Sequence, residues 1–453
     1  MAVTKEQNAA AAVHQFQIDG DLVSVAPYGS GHINDTYCAV FELHGAQVRY
    51  ILQRVNHNVF KDPRALIENI QRVTSHLAAR LAGEPDSGRR VLTLIPARDG
   101  LYWHVDAEGS YWRVYRFIEN ARTFDAVEST AQAFQAARAF GQFQNLLADL
   151  PAPRLHDTIP DFHHTPRRFL TLEQAIAADA AGRAAQAKAE IDFALAHRPM
   201  TSVLLDASLP ERVTHNDTKF NNVMLDDSTG EGICVIDLDT VMPGLALYDF
   251  GDMVRTTTSP AREDEQDLSK VTMQFPMFEA LVRGYLSAAG GVLTNEEKQF
   301  LAFSGKLITF EIGIRFLADF LSGDSYFKVH REGHNLDRCR TQFKLVDSAS
   351  ACPDLDHLRN QDDVHSCFDQ YKAYLDEVYH EAQQKTPDLT GSFIIRLSLD
   401  KDGHVTDASA DYAEGNLSTD FISAELAVVK KMRFGWGQQA MDATYSVHFL
   451  PGS

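Results

Sequence analysis

Residues 213–239 constrain the fold of this chain more than any other stretch. Val213-Thr-His215-Asn-Asp217-Thr-Lys219-Phe-Asn-Asn222-Val-Met-Leu225 is followed, after a turn, by Gly232-Ile-Cys-Val-Ile-Asp237-Leu-Asp239. Short apolar runs broken by polar loop formers read as strands and tight loops, not as helix. The flanking segments Ala131–Leu150, Leu170–His197, Phe275–Ala288 and Asn295–Leu321 are long and amphipathic with helical spacing. One non-helical insert, Val213 to Asp252, therefore sits inside a mainly helical body.

The chain ahead of residue 119 has another character. Strands are expected over 21–28, Thr36–Leu43 and Val48–Val55, with a turn at His44-Gly45-Ala46. From Asp62, the positions of Leu66, Ile67, Ile70, Val73, Leu77 and Leu81 follow a helical period. Val91–Ile95, Tyr102–Val105 and Tyr111–Phe117 are further strand candidates, so an antiparallel sheet with a helix packed on it is expected. After Ser348–Pro353 the pattern changes again. A helix over Asp354–Gln384 precedes a strand at Thr390–Leu399, a hairpin turn at Asp400-Lys-Asp-Gly403 and a return strand at His404–Ala410. Ser418–Lys431 reads as a helix and Ala443–Leu450 as a last strand. The expected division is thus 1–118, 119–350 and 354–453: an α+β chain of a sheet lobe, a helical lobe and a small α+β unit.

Bulk properties narrow the partners. At 453 residues the chain is too long for one core. A net charge of -20 repels phosphate backbones and anionic lipid, which argues against nucleic acid or a membrane surface as main partner. No apolar run approaches the roughly 18 residues of a membrane span, and no basic start leads into an apolar signal core. The five cysteines are odd in number and form no CxxC, which speaks against a disulfide framework or zinc site and for a reducing cytoplasm.

The order of polar residues in the insert fits phosphoryl transfer, which asks a protein for positioning and charge neutralisation. Asp217, in His-x-Asp, is the candidate base for a hydroxyl proton. Asn222, five positions on, and Asp237, closing an apolar strand, are the candidate magnesium ligands. Singly, each has a plainer reading: a loop Asp is usually a cap, Asn-Asn a turn, and Asp237 with Asp239 a solvated strand face. Ordered at this spacing, they point to magnesium and ATP. Gly29-Ser30-Gly31-His32-Ile33-Asn34, between two strands, is either an ordinary glycine turn or one whose N–H groups approach a triphosphate. In the third strand, the slot for a phosphate-pairing lysine holds Gln53 or Arg54 and no lysine. Glu68 is a candidate partner for Arg54, or simply a solvated helix position. Tyr115–Glu119 is the candidate hinge, with backbone groups for adenine.

Four stretches resemble the aminoglycoside-phosphotransferase and choline-kinase superfamily, most of all the N-acetylhexosamine 1-kinases. They are Tyr28-Gly-Ser-Gly-His-Ile-Asn34; Tyr50-Ile-Leu-Gln-Arg-Val-Asn-His-Asn-Val-Phe-Lys-Asp-Pro63; His215–Asn222 with Val235–Gly244; and Ile314–Asp319 with Tyr326-Phe-Lys328. The resemblance implies a two-lobed protein-kinase-like fold with a nucleotide-binding N-lobe and ATP in the cleft. It implies transfer of the γ-phosphate to the anomeric hydroxyl of N-acetylglucosamine or N-acetylgalactosamine. Asp217 would then be the base, Asn222 and Asp237 the magnesium ligands, and Gly29, Ser30, Gly31, Gln53 and Arg54 the ATP site. His32, Asn34, Arg315 and Tyr326 would reach the sugar, unless Arg315 is only an i,i+4 ion pair with Asp319. Asp249 and Asp252, in Tyr248-Asp-Phe-Gly-Asp252, imitate a metal motif; spacing gives that role to Asp237, and these two are expected to brace the catalytic loop. A kinase of another small alcohol (aminoglycoside, choline-like or another sugar) and a catalytically silent scaffold stay open. Asp363–Phe368, Thr386–Gly391, the Asp400–Gly403 hairpin and Met432-Arg-Phe434 resemble a TonB- or AgmX-type C-terminal domain, a kind of module that binds protein partners; regulation, dimerisation, decay after fusion and a small accessory domain without chemistry all stay open.

Overall fold

The computed structural model describes residues 4–29, 33–350, 368, 375–376, 378–386, 388–400, 404–432 and 441–449. The chain divides into two units, Met1–Ser350 and Ala351–Ser453.

In the first unit, Thr4 and Gln7 cap each other's backbone N–H groups and start α1 (Lys5–Val13). The strands β1 (Asp21–Pro27), β2 (Asp35–Leu43) and β3 (Ala46–Arg54) follow, the last two joined through left-handed His44 and Gly45. Asp62 accepts the N–H groups of Arg64 and Ala65, and Pro63 opens α2 (Pro63–Arg80). Leu66, Ile67, Ile70, Val73 and Leu77 are buried, as their period predicts. β4 (Leu94–Ile95), β5 (His104–Val105) and β6 (Tyr111–Arg116) complete an antiparallel sheet of order β1-β2-β3-β6-β4, with β5 also on β6. Tyr37, Ala39 and Phe41 of β2, Tyr50 and Leu52 of β3, and Trp112 and Val114 of β6 alternate into one core with α1. Two strands are shorter than their sequence suggests. β4 pairs with β6 only at Leu94 and Ile95, because Pro96, which has no N–H for a ladder, follows.

The helical lobe runs β7 (Ala121–Arg122), α3 (Thr130–Leu146), α4 (Thr165–Ala178), α5 (Lys188–Ala196), α6 (Val203–Asp206), β8 (Arg212–Thr214), β9 (Val223–Asp226), β10 (Gly232–Val235), β11 (Met242–Gly244), α7 (Ala246–Thr257), α8 (Phe275–Ala289), α9 (Asn295–Gln299), α10 (Leu301–Leu321) and α11 (His334–Ser350). β10-β9-β7 and β11-β8 form two small antiparallel sheets.

Three expectations need correction here. Leu170–His197 is two helices: Asp179 turns left-handed at φ 35°, and its carboxylate takes the N–H groups of Arg183 and Ala184, ending α4. Asn295–Leu321 also breaks, at Phe300, between α9 and α10. The non-helical insert ends early, because Tyr248-Asp-Phe-Gly-Asp252 lies in α7. Its glycine answers a helix crossing: a Cβ on Gly251 would lie 2.5 Å from the Ser304 carbonyl of α10.

The second unit pairs β12 (Gly391–Leu399) with β13 (Val405–Gly415) on one side and β14 (Met441–Phe449) on the other, all antiparallel. Helix α12 (Thr419–Val429), capped by Ser418, packs on the sheet through Phe421 and Val429. Residues 378–385 are helical. Lys401–Gly403 of the expected hairpin turn, 363–367, and Arg433 and Phe434 lie outside the described residues. Among the described residues, no helix is long and apolar enough to cross a membrane, and Cys38, Cys234 and Cys339 are free thiols.

Candidate active site

The loop after β8 is held open by a left-handed residue and one buried carboxylate. Asn216 has φ 63°, a conformation that Asn tolerates better than most residues. The Asp249 carboxylate, buried on α7, accepts the N–H of His215 at 2.9 Å and of Asn216 at 2.6 Å. Burial pushes Asp249 up to about 6, against the pull of these N–H groups. The His215 ring lies edge-on to Phe140 and Phe143. Its Nε2 is 2.9 Å from the Ile236 carbonyl, which can only accept, so Nε2 carries the proton and Nδ1 accepts the Asp217 N–H at 3.3 Å. Thr240 donates to the His215 carbonyl at 2.7 Å. The loop thus presents Asp217 with its backbone fixed on both sides.

Around Asp217 the charges are paired. Lys219 Nζ lies 2.8 Å from Oδ1 and 3.0 Å from Oδ2. Burial works to raise this carboxyl, but Lys219 outweighs it, with Arg255 adding to the pull, and holds it below its usual value. Asn222 Nδ2 donates to the Asp217 carbonyl at 2.8 Å and to Oδ2 at 3.2 Å. Asp237, left-handed at φ 57°, follows β10 and is exposed. The surrounding protein, and then the charges of Asp239 and Asp217, push it up to about 7, although its exposure lets solvent screen part of that effect. Among the described residues no three His, Cys, Asp or Glu side chains form an all-protein metal cage. A carboxamide and a carboxylate nonetheless suit magnesium, a hard ion that keeps waters and takes phosphate oxygens as further ligands.

The nucleotide-side residues separate. Gly29 turns left-handed at φ 78° with open space around its Cα, whereas Ser30, Gly31 and His32 lie outside the described residues. Gln53 faces its register partner Arg113 of β6 and accepts from that guanidinium at 3.0 and 2.8 Å. Arg54 instead pairs with Asp35 at 2.5 Å, and the expected partner Glu68 lies 3.2 Å from His156. Arg54, Asp35, Asn56, His57, Asn58 and Lys328 line a cavity of about 410 Å³ where the lobes meet. Asn34 also reaches across the lobes, donating to Asp239 at 2.6 Å and accepting the Asn56 N–H at 3.0 Å.

On the helical side, Arg315 of α10 stacks over Phe162 and Phe327 at 5.3 and 5.9 Å. The alternative ion pair with Asp319 does not form. Asp319 accepts the N–H groups of Ser325, Tyr326 and Phe327, so it anchors the loop that carries the exposed Tyr326. Arg168 donates to the Phe162 carbonyl, and burial, then the charge of Arg315, lowers its pKa. Next to Phe162, His163 binds the Asn216 carbonyl through Nε2 at 3.0 Å and Glu311 through Nδ1 at 2.9 Å.

Sequence reasoning missed Arg113, Asn69, His163 and Glu311. Asn69 is fully buried on α2 and donates to the carbonyls of His156 and Val241 at 2.8 and 3.1 Å, tying the lobes together beside the site. A polar residue on the apolar stripe of a predicted helix was the one available signal for it.

Residues 24–285 match the model of the phosphotransferase enzyme family, APH. A solved microcompartment-associated aminopropanol kinase is 20% identical, with 76% of this chain and 96% of that one covered and a TM-score of 0.50. A spectinomycin phosphotransferase solved with ADP and spectinomycin is 14% identical, covering 78% and 99%, at a TM-score of 0.48. A choline kinase from Cryptosporidium parvum is 15% identical, covering 72% and 88%, at 0.42. At these identities the first likeness is one of fold: an antiparallel-sheet lobe on a helical lobe.

Proposed function

Because the chain belongs to the phosphotransferase enzyme family, we propose that it is a magnesium- and ATP-dependent kinase that phosphorylates the anomeric hydroxyl of an N-acetylhexosamine. The observation that carries this reading is the grouping of Asp217, Asn222 and Asp237 on one braced loop and the strand end beside it. Asp217 is kept ionised by Lys219 at 2.8 Å, so it is ready to take or orient a hydroxyl proton. Asn222 and Asp237 would hold the magnesium, which bridges and neutralises the phosphates when nucleotide is bound. Gly29 and its neighbours would supply N–H groups to the triphosphate, and Asn34, Arg315 and Tyr326, with His32, would position the sugar by directional hydrogen bonds.

In this reading residues 1–118 are the nucleotide lobe, 119–350 the catalytic lobe, and 354–453 a TonB-like accessory domain with a protein partner, all in the cytoplasm. The test is ADP release with magnesium-ATP against N-acetylglucosamine, N-acetylgalactosamine, glucose, choline and kanamycin, for wild type and Asp217→Ala. Turnover confined to the N-acetylhexosamines and lost in the variant is the expected result. Turnover with choline or kanamycin alone would discard the sugar, and no turnover with any acceptor would favour the scaffold reading.

A further inference from the structure

Phosphoryl transfer needs a fixed cation on the nucleotide side, usually a lysine of the third strand. Here β3 has no lysine: Gln53 is neutral, Arg54 is paired with Asp35, and Arg49 is turned to Glu119 and the Phe117 ring. The cation at this place is Arg113, one strand over. Its side chain is 1% exposed and forks onto Gln53 Oε1, which is itself held by a 3.1 Å hydrogen bond from its Nε2 to Thr36. Thr36, Gln53 and Arg113 are register partners across β2, β3 and β6, so three strands aim one guanidinium. Its Nη2 lies 2.5 Å from Asp239 Oδ1 in the helical lobe. Asp239 stands two residues after Asp237, whose charge Arg113 also feels. One buried atom at this junction, Arg113 Nη1, has no hydrogen-bond partner among the described residues. A buried polar atom left without a partner is uncommon enough to mark a place that a ligand completes.

Building on the kinase reading above, we propose that Arg113 replaces the strand lysine as the positioning cation of the nucleotide site. Anchored by Gln53, it holds Asp239 and thereby sets the Asp237 turn against the incoming magnesium-triphosphate. An arginine suits this task because its planar fork binds Gln53 and a carboxylate at once in a fixed geometry, which a lysine's single rotating ammonium does not impose. The sheet lobe is thus coupled to the Asp237 turn through the Arg113–Asp239 ion pair, beside the Asn34–Asp239 hydrogen bond, instead of through a strand–helix pair.

The test is binding of a fluorescent ATP analogue to the full chain, titrated with magnesium and with EDTA. Wild type should bind more tightly with magnesium. Arg113→Met and Asp239→Asn should each lose about tenfold or more of that magnesium-dependent gain, a larger loss than either shows in EDTA. Arg113→Lys should recover part of the gain. A purely structural role would instead weaken binding equally in both conditions, and that result overturns the proposal, as does a wild-type magnesium gain in Asp239→Asn. If Arg113→Met does not fold, Asp239→Asn decides. A wild-type protein with no magnesium-dependent binding would refute the kinase reading itself, and this inference with it.

Discussion

Asp249 holds Asn216 in its left-handed conformation by accepting its N–H at 2.6 Å, while the other carboxylate oxygen takes the N–H of His215 at 2.9 Å. A helix residue thereby fixes the backbone that presents Asp217. Asp249→Asn keeps the shape but turns one accepting oxygen into a donor, leaving a buried N–H unpaired at a cost of about 1–3 kcal/mol. Turnover should fall by about a hundredfold as the loop shifts. Urea unfolding and ADP-release kinetics would check both, and wild-type turnover in the variant would show that the loop needs no such brace.

His163 and Glu311 form a buried pair behind the same loop. Burial alone would lower His163, but Glu311 overrides it and raises the imidazole above its ordinary value. Burial would likewise raise Glu311, yet His163 holds it below its ordinary value. The contribution of His163 to stability is therefore complete below its unfolded value and lost as pH rises through its raised folded value. That of Glu311 is present above its unfolded value and lost as pH falls through its lowered folded value. Melting temperature against pH should show a plateau between these limits, and His163→Gln should flatten the alkaline limb. An unchanged limb would remove the pair from the account.

Arg315 has no ion-pair partner among the described residues and lies over two aromatic rings. Arg315→Ala should raise KM for the acceptor by about tenfold, equivalent to ~1.4 kcal/mol, and leave KM for ATP where it was. Equal effects on both substrates would assign Arg315 to folding instead of recognition.

Glu425 of α12 is fully buried, neither oxygen has a hydrogen-bond partner among the described residues, and burial pushes its pKa up to about 8. A carboxyl raised in the folded state gives stability that is full below its ordinary, unfolded value and is lost as pH rises towards about 8. Thermal melts of the full chain should therefore show one transition weakening over that range, and Glu425→Gln should abolish the weakening. A wild-type pH dependence in the variant would mean that Glu425 is solvated.

The helical period of α2, the hairpin signals of β2–β3 and β12–β13, and the order of Asp217, Asn222 and Asp237 were all legible in the chain. The first two rest on neighbours within a few residues, where spacing alone determines which side chains share a face or a turn, and the third on the order of residues within one short stretch of chain. The errors came where a tertiary contact overrode a local pattern. Asp179 ended a helix that alanine content would have continued, and Tyr248-Asp-Phe-Gly-Asp252 became a packed helix because α10 crosses it at Gly251.

What the sequence determined by itself was the architecture of two lobes and the candidate loop, 213–239, on which the proposed chemistry rests. What only the tertiary structure decided was which distant groups hold that loop: Arg113 on Asp239, Asn69 on Val241, His163 on Asn216, and Asn34 on Asp239 from 205 positions away. No periodicity announces such pairs. They exist because packing the sheet on the helices buries polar groups far apart in the chain, and each buried group must then find its partner in the other lobe or on another helix.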